Sequence, residues 1–302
     1  MSTIAFIGAG NIGLPALKRL IEEGNKVKAY DVSSDRLELA RAAGAEIGRS
    51  AADVASEAEF VITMVRSGED VRRVYIDESV IAASRHDAIL IDCSTIDIAT
   101  CQRVSAAAAA GGRQMIDAPI SGGVLRAASG TLTIMVGGEE AAFDRAEPVL
   151  KGLASSVHYM GPAGSGVATK LCNNLVAAIT IGAISEAFAL AGKFGLDYKK
   201  LFNVMNSSSA KCWALETMCP VPGPVPSAAA NFNFKPNATA SLVVKDLDAT
   251  LISALKLHAS MPLGSATLSL FSMLCDAGLG ELDASAIIKL FDGSLADLRK
   301  TS

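Results

Sequence analysis

The chain has 302 residues, half of them hydrophobic and 19% charged, with a formal net charge of −4 and a sequence pI near 5.5. Its length exceeds a usual single core of about 100–200 residues, so two domains are expected. The acidic balance provides no basic footprint for nucleic acid. Six cysteines without a CxxC pair and three histidines without ligand spacing give no metal signature and point to reduced thiols.

From Thr3 to about Met160, short apolar runs alternate with stretches of helical period. The strand candidates are "TIAFIG", "KVKAYD", "FVITMV", "AILIDC", "RQMIDA", "TLTIMVGG" and "SVHYMG". Between the earlier ones lie "GLPALKRLIEEG", "SDRLELARAAG" and "ATCQRVSAAAAAGG", each ended by glycine. Strand–helix–strand repetition predicts parallel pairing and an α/β fold, a Rossmann-type doubly wound sheet over residues 1–162. After "GPAGSG" the β-branched runs stop, and residues 163–302 read as an all-α domain that begins with a long helix and is broken by "CPVPGPVP". The apolar stretch Leu171 to Ala191 is interrupted by Asn173, Asn174, Thr180, Ser185 and Glu186. A spanning helix needs about 20 nearly uninterrupted apolar residues, so no membrane partner is expected. The folded pattern starts almost at Met1, and no export signal is expected.

"FIGAGNIG" places Gly8, Gly10 and Gly13 directly after a strand and before a helix. In that setting the first glycine permits the turn, the second lets backbone approach a pyrophosphate, and the third lets helix pack on strand. Asp31 closes the second strand about 20 residues on, where a carboxylate can accept both ribose hydroxyls and repel a 2′-phosphate. These features predict NAD as cofactor, held by Gly8, Ala9, Gly10, Asn11, Ile12, Gly13 and Asp31.

Four spaced stretches, "FIGAGNIGLP", "DAPISGGVLRAASGTLTIMVGG", "GSGVATKLCNN" and "KDLDATLISA", occur in the order found in the β-hydroxyacid dehydrogenase family. The chain resembles its 3-hydroxyisobutyrate dehydrogenase branch over essentially the full length; "NSSSAKCW" and "CPVPGPVPSA" are similar to that branch in particular. The resemblance implies that Lys170 is the general acid/base and that Asn174 binds substrate beside it. It further implies cofactor contacts from Met64, Val65, Thr95 and Lys245. Arg66 stands where the family has proline and can reach a cofactor phosphate. Ser94 and Thr95 could instead cap the helix beginning near Asp97, and Lys245 could pair with Asp246 or Asp248 at the surface.

Lys170 at the start of a helix, with Asn173 and Asn174 three and four residues on, would share one face with them. An amine of ordinary pKa near 10.4 is too basic to accept a proton at neutral pH. Desolvation by the apolar helix and the positive nicotinamide ring would lower it. Ser121, Gly122 and Gly123 precede a probable helix and can form a backbone nest for a carboxylate, which would orient a 3-hydroxy acid against Lys170. Trp213 could close the pocket around the acyl branch.

The implied activity is NAD-dependent oxidation of (S)-3-hydroxyisobutyrate to methylmalonate semialdehyde, a step of valine degradation. The alternatives are another short β-hydroxy acid, such as tartronate semialdehyde or glycerate, and a non-catalytic binding module. A homodimer or homotetramer is implied, in the cytoplasm of a bacterium or the mitochondrial matrix of a eukaryote.

Overall fold

The computed structural model describes residues 1–295. Its N-terminal part runs β1 (Thr3–Ile7), α1 (Gly13–Glu22), β2 (Lys26–Tyr30), α2 (Ser34–Ala42), β3 (Glu46–Ile47), α3 (Ala51–Ala55) and β4 (Phe60–Thr63). It continues through α4 (Gly68–Arg72), a π turn, α5 (Val80–Ala83), β5 (Ile89–Asp92), α6 (Ile98–Ala110) and β6 (Gln114–Asp117). Then follow β7 (Ile120–Ser121), α7 (Gly123–Ser129), β8 (Leu132–Gly138), α8 (Glu140–Leu153) and β9 (Ala154–Gly161). Chain contacts divide the molecule into two units, Met1–Lys170 and the remainder from Leu171.

The sheet order is β3-β2-β1-β4-β5-β6-β8-β7, with β9 beside β8. β1, β4 and β5 are buried almost throughout, which is why they read as continuous apolar runs and not as alternation. On α1, Gly13, Ala16, Leu17 and Leu20 are buried, a 3.6-period stripe laid against the sheet. Leu17 and Leu20, both at 0% exposure, each contribute about 1.5–3 kcal/mol by burial.

All pairings up to β5·β6 are parallel, as the alternating pattern predicts. The expectation does not extend to β8, which is antiparallel to β6 and β7. Between β6 and β8 the chain runs through β7 and the seven-residue α7, and β8 returns from them to pair antiparallel with β7 as well as β6. The two-residue strands β3 and β7 carry no periodic signal, and the sequence pattern does not show them.

The rest is helical: α9 (Ser165–Lys193), α10 (Tyr198–Asn206), α11 (Trp213–Thr217), α12 (Ala240–Lys256), α13 (Pro262–Leu274) and α14 (Ile288–Asp292). By length and composition, α9 could cross a bilayer. Its later residues Ala178, Ile181, Ile184, Phe188 and Ala189 instead belong to the buried core of the helical unit, together with Cys219, Val221 and Val225 of the proline-rich segment. Trp213 is 54% exposed at the start of α11.

Candidate functional site: a dinucleotide loop and a buried lysine

The three glycines of the first turn have three different reasons to be glycine. Gly8 has φ +100°, and a Cβ there would lie 2.3 Å from the Met64 carbonyl oxygen. A Cβ on Gly13 would lie 2.0 Å from the Gly8 carbonyl oxygen, so only glycine lets α1 start this close to the turn. Gly10 has neither constraint: a Cβ there meets no protein atom within 4 Å. Internal packing leaves the glycine at position 10 unexplained, and close approach of a pyrophosphate explains it. The first turn of α1 has no side-chain cap bond and no acidic residue, which leaves its N–H groups suited to an anion.

Asp31 stands at the carboxyl end of β2. Its Oδ2 accepts from the Ala9 N–H at 2.7 Å and its Oδ1 from the Ser33 N–H at 2.9 Å. Each carboxylate oxygen keeps lone-pair capacity for a ribose hydroxyl. Asn11 is exposed, and its Oδ1 accepts from Arg36 at 2.7 Å. Ile12 is half-buried against the core of the sheet.

Across the sheet, Met64 and Val65 follow β4. The Met64 N–H donates to the Ile7 carbonyl, and the Val65 N–H to the Ser94 hydroxyl at 3.0 Å. Arg66 is exposed and Thr95 half-buried. The capping alternative for Ser94 and Thr95 does not hold, because the Asp97 carboxylate caps α6 by accepting from the Thr100 N–H. Ser94 is instead tied to Asp92, whose Oδ1 accepts from the Thr63 hydroxyl at 2.7 Å and from the Ser94 N–H at 3.2 Å. Tyr75 completes this buried network through its hydroxyl on Thr63. Burial holds the Asp92 carboxyl above its ordinary range, with neighbouring Asp117 acting in the same direction. Burial likewise pushes the Cys93 and Cys101 thiols up, so neither is a reactive thiolate.

Asp117 ends β6, in register with Asp92. Its side chain is 3% exposed and bonds the first turn of α9: the Gly164 N–H donates to Oδ1 at 2.7 Å and the Val167 N–H to Oδ2 at 2.8 Å. Four residues further along the chain stands Ser121, paired with Thr133, followed by Gly122 at φ +139° and Gly123 at φ +69°. Those backbone angles suit glycine and aim successive N–H groups away from strand geometry.

Lys170 lies in the second turn of α9 and not at its start, since the Asp117 cap lets the helix begin at Ser165. The lysine is 8% exposed. In the helical unit, Asn174 is half-buried and its amide donates to Asp246 Oδ2 at 2.6 Å. Asn173 is exposed and donates to Asn174 Oδ1 at 3.1 Å, so it serves its neighbour and does not turn inward with Lys170. Lys245 is half-buried on α12 beside the buried Asp246.

Residues 3–161 match the family model described as the NAD binding domain of 6-phosphogluconate dehydrogenase. Residues 164–291 match the one described as NAD-binding of NADP-dependent 3-hydroxyisobutyrate dehydrogenase. Over 288 residues the chain is 43% identical to a probable 3-hydroxyisobutyrate dehydrogenase of Mycobacterium tuberculosis, covering 95% of this chain and 97% of the relative. The chain belongs to the 3-hydroxyisobutyrate dehydrogenase family.

Within this family it is also 36% identical to an NAD-dependent L-serine dehydrogenase of Pseudomonas aeruginosa, over 97% of this chain and 98% of that one. The solved structure of the M. tuberculosis 3-hydroxyisobutyrate dehydrogenase with L-serine superposes with a TM-score of 0.92 at 43% identity. That match covers 96% of this chain and 99% of the other. The protein is therefore an NAD-dependent hydroxyacid dehydrogenase, and the glycine loop, the uncapped α1 turn and Asp31 fit that cofactor. Sequence reasoning gave Asp92 and Asp117 no role and Asp246 only that of a surface partner for Lys245, although Asp117 opens the "DAPISGG" motif and Asp246 lies in "KDLDATLISA".

Proposed function

We propose that the protein oxidises (S)-3-hydroxyisobutyrate to methylmalonate semialdehyde, with Lys170 as general base. The carrying observation is a lysine at 8% exposure, held by a capped helix turn on the unit that contains the dinucleotide loop. General-base catalysis requires the neutral form of Nζ, which accepts the proton of the substrate hydroxyl. In oxidation, the substrate hydroxyl proton passes to Lys170 Nζ as the alcohol carbon gains its carbonyl double bond; the ammonium returns the proton in the reverse direction. NAD⁺, when bound, accepts the hydride that this carbon releases. Ser121, Gly122 and Gly123 bind the carboxylate through backbone N–H groups and the Ser121 hydroxyl, and Asn174 binds near the reacting hydroxyl. Thr95, Met64, Val65 and Lys245 contact the cofactor.

A second reading, another short β-hydroxy acid such as L-serine or glycerate, draws support from the L-serine dehydrogenase relative and from the solved relative with L-serine. The discriminating experiment is kcat/KM for (S)-3-hydroxyisobutyrate, L-serine and glycerate, with NAD and with NADP. The first reading expects 3-hydroxyisobutyrate to lead by about tenfold or more, the discrimination that an apolar methyl contact supplies. A lead by L-serine or glycerate moves the assignment to the second reading, and no turnover with any of them contradicts both.

A further inference from the structure

Asp117 carries no chemistry in the reaction above, yet it is buried and bonded on both carboxylate oxygens. Its carboxylate receives two backbone N–H groups from the start of α9, at 2.7 and 2.8 Å, across 47 and 50 residues of sequence. The helix meets the sheet backbone to backbone. A Cβ on Gly166 would stand 2.3 Å from the Met135 carbonyl oxygen and 2.9 Å from Asp117 Oδ2. A Cβ on Gly137 would stand 2.6 Å from Asp117 Oδ1 and 2.8 Å from the Ser165 and Gly166 nitrogens. Glycine on both sides leaves the carboxylate as the spacer that sets this distance.

Gly166 and Lys170 are four residues apart on α9, one turn, so the face pressed on the sheet is the face that carries the lysine. In the other direction, Asp117 is followed after Ala118, Pro119 and Ile120 by Ser121 and the two glycines. One buried side chain therefore stands at the root of both the proposed carboxylate loop and the helix turn of the proposed base. A carboxylate also suits a helix N-terminus, where the exposed N–H groups carry partial positive charge.

We propose that Asp117 is a positioning residue that sets where Lys170 stands relative to the Ser121–Gly123 loop. This rests on Lys170 being the base. Replacing the carboxylate by an amide, Asp117→Asn, keeps the size but turns one acceptor into a donor facing an N–H group. The α9 turn must then shift or rotate away. A displacement of about 1 Å at a reacting group costs up to ~10²-fold in rate, so kcat falls by one to two orders of magnitude. The dinucleotide loop is untouched, so NAD affinity stays at the wild-type value, and the pH profile of kcat moves with the displaced amine.

The test compares wild type, Asp117→Asn, Lys170→Ala and the double variant for kcat, KM, NAD affinity and pH profile with the preferred hydroxy acid. A positioning residue that acts through Lys170 adds no further loss to Lys170→Ala. Wild-type kcat in Asp117→Asn overturns the proposal, as does the same fold-loss in both backgrounds, or a fall in NAD affinity parallel to that in kcat. If Asp117→Asn does not fold, Asp117→Glu, which keeps both acceptors on a longer stem, is measured in the same way. Full activity in Lys170→Ala instead removes the assignment of the base, an outcome distinct from the failure of Asp117 alone.

Discussion

Asp31 Oδ2 accepts a 2.7 Å hydrogen bond from the backbone N–H of Ala9, the residue between the first two glycines of the dinucleotide turn. The acidic residue expected to hold a ribose thus also holds the turn that receives the pyrophosphate. Hydrogen bonds to a charged acceptor contribute about 1.5–3 kcal/mol each. Asp31→Ala is therefore expected to weaken NAD binding by roughly 10- to 100-fold. It should weaken NADP binding less, because the carboxylate no longer repels a 2′-phosphate. Titration of each cofactor by protein fluorescence checks both statements; equal losses for the two would show that Asp31 shapes the turn without reading the ribose.

The glycines at 10 and 13 should separate binding from stability. Gly13→Ala drives a methyl to 2.0 Å from the Gly8 carbonyl oxygen and is expected to lower stability by about 3 kcal/mol or more, read by urea unfolding. Gly10→Ala meets no protein atom and is expected to keep wild-type stability in the absence of cofactor while losing NAD affinity. Unchanged NAD affinity in Gly10→Ala would show that the pyrophosphate does not approach there.

Asp92 provides a pH test. Burial raises its folded-state pKa above the ordinary 3.8, so its contribution to stability is present below that value and is lost as pH rises through the raised one. Asp92→Asn keeps an acceptor for Thr63 and Ser94 but does not ionise. The melting temperature of Asp92→Asn relative to wild type is therefore expected to increase as pH is raised from the acid range toward neutrality. Exposed Asp87, held low by its hydrogen bonds from Arg85, has the opposite sign, but it is common to both proteins and drops out of the difference. A pH-independent difference would contradict the assignment.

In the helical unit, the Asn174 amide donates to buried Asp246 at 2.6 Å, which fixes which way the amide points. Asp246→Ala is expected to raise the KM for the hydroxy acid by about tenfold, the usual consequence of losing a bond to a charged group, with little change in NAD affinity. Steady-state kinetics with each substrate varied in turn makes the comparison. An unchanged KM would remove Asn174 from the substrate site.

The parallel half of the fold was legible because β1, β4 and β5 are buried almost throughout and α1 carries a 3.6-period apolar stripe of Gly13, Ala16, Leu17 and Leu20. The glycine loop was legible for a similar reason: its function needs residue types at fixed spacing next to a strand. The antiparallel β8 was not, because its direction depends on the turn the chain takes through β7 and α7, and single residues do not encode that. The start of α9 was misplaced by one turn because its cap, Asp117, is about 50 residues away in sequence and local capping patterns cannot show it. A separation of 72 residues likewise hid Asp246 behind Asn174.

The central claim is that Lys170 moves the proton. Single-turnover hydride transfer, followed by cofactor absorbance with enzyme in excess of NAD, tests it most directly in wild type and Lys170→Ala, each with and without added methylamine. The account predicts normal NAD binding by the variant and transfer slowed by about 10²–10⁴-fold, with partial recovery as the free amine concentration rises. Transfer at the wild-type rate without the amine would contradict it.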